Sequence, residues 1–75
     1  MNRNEIARVQ DYLRRTFGTD RLTVIVPKRS GQPIEVMMGE EFLGVLYRDE
    51  DDGEVSYQFQ MTILDIDLPP AAPAA

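Results

Sequence analysis

Asp52-Gly53, set between two alternating runs of apolar and polar residues, constrains this chain more than any other feature. A two-residue hairpin loop of the favoured hand needs φ > 0 at both central positions, and Asp-Gly meets that demand cheaply. With those two residues as the turn, Leu46 faces Phe59, Gly44 faces Met61 and Phe42 faces Ile63. One face of the hairpin is then apolar throughout. The other sets Leu43, Val45 and Tyr47 against Thr62, Gln60 and Gln58.

Upstream, Leu22, Val24 and Val26 alternate in a β-branched run stopped by Pro27, and the chain returns through Ser30-Gly31 to Ile34, Val36 and Met38. Pairing Val26 with Ile34, Val24 with Val36 and Leu22 with Met38 keeps one face apolar. A tight turn at Gly39-Glu40-Glu41 then pairs Met38 with Phe42, Val36 with Gly44 and Ile34 with Leu46. A slip of one residue would bury Glu35, so the register is specified. The expected inner face comprises Leu22, Val24, Val26, Ile34, Val36, Met38, Phe42, Leu46, Tyr57, Phe59, Met61 and Ile63. Gly44 lies mid-strand, where a missing side chain would admit a helix closely. Beyond Ile63 the apolar parity switches to Leu64, Ile66 and Leu68, which predicts either a bulge or a segment wrapping an edge.

The first seventeen residues supply that helix. Ile6, Val9, Leu13 and Phe17 form an apolar stripe at helical spacing, and Asn2 with Glu5 has the spacing of a capping box. Gly18 follows as a left-handed terminator, with Arg14 and Arg15 near the negative end of the helix dipole. The reading is a helix over about 4–17 and an α+β fold: one N-terminal helix packed on a four-stranded antiparallel β-meander, in the order α-β-β-β-β. Residues 1–68 form one domain, and the Pro/Ala-rich residues 69–75 form a flexible tail.

A chain of 75 residues with neither Cys nor His offers no disulfide, no thiolate or imidazole metal ligand and no Ser-His or Cys-His catalytic pair. Ser30 and Ser56 have no imidazole to activate them, and there is no glycine-rich phosphate loop. The acidic run Asp49-Glu50-Asp51-Asp52-Gly53-Glu54 fails the EF-hand pattern, since Arg48 falls at the first ligand position and Phe59 at the twelfth. A non-enzymatic protein with no catalytic, cofactor-binding or metal residues is expected. No signal-peptide core and no membrane-spanning run is present in the sequence, so a cytoplasmic location without membrane partners is expected.

Two surfaces are left as candidates. The outer sheet face carries Met37, Leu43, Val45 and Tyr47, with Gln58 and Gln60 on its rim, and reads as a protein contact, either with a partner or in a homodimer. The alternative follows from the charge. Residues 1–30 carry seven basic residues against three acids, whereas residues 31–75 carry Arg48 against ten acids, for a net charge of −5 overall. Arg8, Arg14, Arg15, Lys28 and Arg29 would then form a nucleic-acid surface, although the sheet aromatics point to the core rather than outward for stacking. No small-molecule substrate is evident.

Residues 41–68, running EFLGVLYRDEDDGEVSYQFQMTILDIDL, together with the helix end Leu13-Arg14-Arg15-Thr16-Phe17-Gly18, are similar to a small alphaproteobacterial family, domain of unknown function 3126. The resemblance covers nearly the whole chain except the Pro/Ala tail. It implies a bacterial cytoplasmic protein and brings no activity or site residue with it.

Overall fold

The computed structural model describes residues 1–71, so residues 72–75 of the expected tail lie outside the described residues. The chain is one helix followed by a four-stranded antiparallel meander, an α+β arrangement. Helix α1 spans Arg3–Phe17. The strands are β1 (Leu22–Ile25), β2 (Ile34–Met38), β3 (Glu41–Asp51) and β4 (Glu54–Met61), in the spatial order β1-β2-β3-β4. Among the described residues no helix is long and apolar enough to cross a membrane.

Helix α1 begins where its capping box closes. The Asn2 side chain accepts from the Glu5 amide at 2.8 Å, and the Glu5 carboxylate accepts from the Asn2 amide at 3.2 Å. Gly18 ends it in the left-handed region, φ 66°, with its amide on the Arg14 carbonyl. At the other extreme of the fold, Asp52 (φ 51°) and Gly53 (φ 81°) make the two-residue turn between Asp51 and Glu54. The expected pairs Leu46–Phe59 and Gly44–Met61 form, as do Val24–Val36 and Leu22–Met38.

Four expectations are corrected at the ends of the elements. Between β2 and β3 the register shifts: Val36 pairs with Gly44, but Met37 pairs with Phe42 and Met38 with Glu41. Leu43 is the extra residue of a β-bulge. Phe42 therefore faces Met37 on the outer parity and is 57% exposed, while Leu43 turns against the core. Val26 does not pair with Ile34, because Pro27 and Pro33 flank the loop and cannot extend the ladder. Ile63 finds no partner either, since β4 stops at Met61. Phe17, the last residue of α1, is exposed and takes no part in the core.

The core comprises Ile6, Leu13, Leu22, Val24, Ile34, Val36 and Leu46, with Met38, Leu43, Tyr57 and Phe59 half-buried against it. It is concentrated where α1 lies on β1. Gln10 and Arg14 fix that contact: the Val24 amide donates to Gln10 Oε1 at 3.0 Å, and Arg14 Nε donates to the Leu22 carbonyl at 2.7 Å. Both are backbone groups on the open side of an edge strand, so the helix closes that edge.

Gly44 does not serve the helix. A Cβ there would overlap the Gln60 carbonyl oxygen and stand 3.1 Å from Met61 Cα, both in β4. The residue next to a bulge sits where the strand twists more sharply, and here that twist turns the Cβ direction into the neighbouring strand.

Candidate functional site

The outer sheet face is built by the pairing itself, since residues directly opposite share a face. Its rows run Thr23–Met37–Phe42, then Ile25–Glu35–Val45–Gln60, then Tyr47–Gln58. Met37 and Val45 are half-buried, whereas Phe42, Tyr47, Gln58 and Gln60 are exposed. Five of the six expected contact residues therefore lie on this face. The sixth, Leu43, packs against the core, and Phe42 stands in its place. Among the described residues no element packs on this side of the sheet.

On the inner side, the N-terminal half of α1 stands off from β3 and β4 and reaches them only through side chains. Arg48 Nε donates to Glu5 Oε2 at 2.9 Å, and the Tyr57 hydroxyl donates to the same oxygen at 2.7 Å. Arg48 also pairs with Glu50 at 3.3 Å. The Tyr57 hydrogen bond, then the Asn2 amide, then Arg48 pull the Glu5 carboxyl down from the ordinary range to about 2. The same contact with Glu5 raises the Tyr57 hydroxyl and the Arg48 guanidinium. One carboxylate thus closes the helix cap and ties the helix to the hairpin.

In the sequence Glu5 reads as a cap residue and Tyr57 as an inner-face residue, and no local pattern gives Arg48 a role. The missing signal was parity: Arg48 shares the inward parity of Leu46 and stands opposite Tyr57. A cation at an inward position calls for an acid from the layer above, and Glu5 is the acid in the first turn of α1.

Beside this tie lies a cavity of about 440 Å³ between helix and hairpin, lined by Val9, Tyr12, Leu13, Leu46, Tyr57 and Phe59, with Arg8 at its side. Four of the five basic residues of the alternative reading line three different hollows. Arg8 lines this groove, and Arg14 and Arg15 line a hollow that includes Asp11 and Asp20. Arg14 is occupied by the Leu22 carbonyl and Arg15 by Asp11 at 3.1 Å. Lys28 lines a third hollow at the β1–β2 loop, where the Arg29 amide bonds Gln32. Among the described residues no group of three or more acidic side chains gathers as a metal-binding set, the hairpin tip included.

A family model described as protein of unknown function (DUF3126) matches residues 5–67. The chain belongs to this family. The match takes in α1 from Glu5 onward, all four strands and the segment after β4 through Asp67, so the DUF3126 unit includes Glu5, Arg48 and Tyr57 as well as Ile63, Leu64 and Ile66. No curated protein and no solved structure matches the chain.

Proposed function

We propose that this protein is a non-catalytic interaction module of the cytoplasm, and that it binds a protein partner through the outer face of its sheet. One observation carries the reading: a single-layer sheet is covered by its helix on one side, and the bare side holds Met37, Phe42, Val45 and Tyr47 as neighbours. An apolar centre with Gln58, Gln60, Glu35 and Thr23 around it has the composition of a contact surface, apolar in the middle and polar at the rim. Tyrosine and phenylalanine offer large contact area with little side-chain entropy to lose.

The test is affinity capture from a cell lysate with wild-type protein and two variants, Val45→Asp and Tyr47→Asp. Both variants keep the wild-type far-UV circular dichroism and lose the captured protein. Capture of the same protein by Val45→Asp would overturn the reading.

A further inference from the structure

The segment that follows β4 is apolar and uncovered. Ile63, Leu64, Ile66 and Leu68 are each more than half exposed, Ile66 at 87%. Residues 62–64 pair with no strand, and a single 3-10 turn, Asp65–Asp67, is closed by the Asp67 amide on the Leu64 carbonyl and the Leu68 amide on Asp65. Four branched side chains in water are a poor end point for a segment that the family model includes as part of the domain through residue 67.

The same molecule holds a surface of matching chemistry. The groove between α1 and the β3–β4 hairpin is apolar along Val9, Tyr12, Leu13, Leu46 and Phe59, and Arg8 at its side has no ion-pair partner among the described residues. Glu5, the acid of the groove, is already held by Tyr57, Arg48 and the Asn2 amide. The cation that remains is opposite in sign to the two charges of the segment, Asp65 and Asp67, which are both negative. In its own chain Asp67 lines a hollow that holds Glu41, a like charge, and no basic residue. Seven residues, 62–68, reach about 23 Å when extended, enough to leave one domain for another.

We propose that a second copy of this chain occupies the groove. Each copy lays its apolar residues 63–68 between α1 and the β3–β4 hairpin of the other, with Asp65 and Asp67 against Arg8. The exchange is isologous, so two copies close on each other and the same contact is made twice. It leaves the outer sheet face free, and stands independently of the function proposed above.

Sedimentation equilibrium over a concentration series tests it on the full chain. The wild-type protein is a dimer, and Ile66→Asp and Arg8→Glu each raise the dissociation constant at least tenfold with unchanged far-UV circular dichroism. Combining Arg8→Glu with Asp65→Arg and Asp67→Arg restores dimerisation, while Val45→Asp leaves it untouched. A monomer at every concentration overturns the proposal, as would a dimer indifferent to both Ile66→Asp and Arg8→Glu. A dimer broken by Val45→Asp but not by Ile66→Asp overturns it as well, and moves the contact between copies to the outer face.

Discussion

The β1–β2 pair and the β3–β4 pair are written in the same alternating code but end in different surroundings. Leu22 and Val36 are 0% exposed, whereas Met61, at an equivalent inward position in β4, is 50% exposed. Strand pattern alone cannot produce that difference. It comes from the helix, which Gln10 and Arg14 fasten along β1 and which, among the described residues, is hydrogen-bonded to the hairpin through Glu5. Alternation decides which side of a sheet a residue faces; the position of the covering layer decides how much that side is buried.

The comparison breaks most clearly in the core. Leu22→Ala removes a side chain with no access to solvent and should cost about 2–5 kcal/mol in chemical denaturation. Met61→Ala, on the exposed stretch of the same face, should change stability by less than about 0.5 kcal/mol. Equal losses would mean that the two strand pairs are equally covered.

A smaller effect sharpens the picture within the hairpin. Gly44→Val drives a side chain into the Gln60 carbonyl, which belongs to backbone and cannot rotate away, and should cost about 1–3 kcal/mol. Because the obstruction lies in β4 and not in α1, hydrogen exchange should quicken in Glu54–Met61 while the helix amides keep their protection. Faster exchange in α1 instead would restore the helix as the neighbour of Gly44.

The smallest effect concerns the polar tie between the two regions. Glu5 titrates at about 2 in the folded protein, against roughly 4.3 for an unfolded glutamate. Folding therefore favours its ionised form. The stabilisation is complete above the unfolded value and is lost as pH falls through about 2. In denaturation series at several pH values, Glu5→Gln should be less stable than wild type at neutral pH, and the gap should narrow as pH falls from roughly 4.3 toward about 2. A constant gap would show that Glu5 contributes by packing instead of charge.

Much of this fold was legible in the sequence because its strongest signals are local. Asp52-Gly53 states its own backbone requirement, Asn2 with Glu5 marks the start of the helix, and Gly18 marks its end. Two-residue periodicity set the β1–β2 register. The bulge was not legible, because Phe42 and Leu43 are both apolar and alternation has nothing to say about which of them turns inward. For want of that signal Leu43, expected on the outer face, packs against the core while Phe42 stands outside. The tie through Glu5, Arg48 and Tyr57 spans 52 positions along the chain, and depends on a helix placement that no short pattern encodes.

The bonds from Gln10 and Arg14 to the β1 backbone have a consequence for growth. A sheet that can add strands at both margins can lengthen without limit, and filaments begin that way. Here one margin is already occupied by the molecule's own helix, and among the described residues β4 pairs with β3 alone. Any accretion through the sheet must use the β4 side, and two copies meeting there leave no further margin to extend. The geometry stops such an assembly at a pair, a natural brake on fibre formation in a protein whose hairpin is long and carries Phe42, Tyr47, Tyr57 and Phe59.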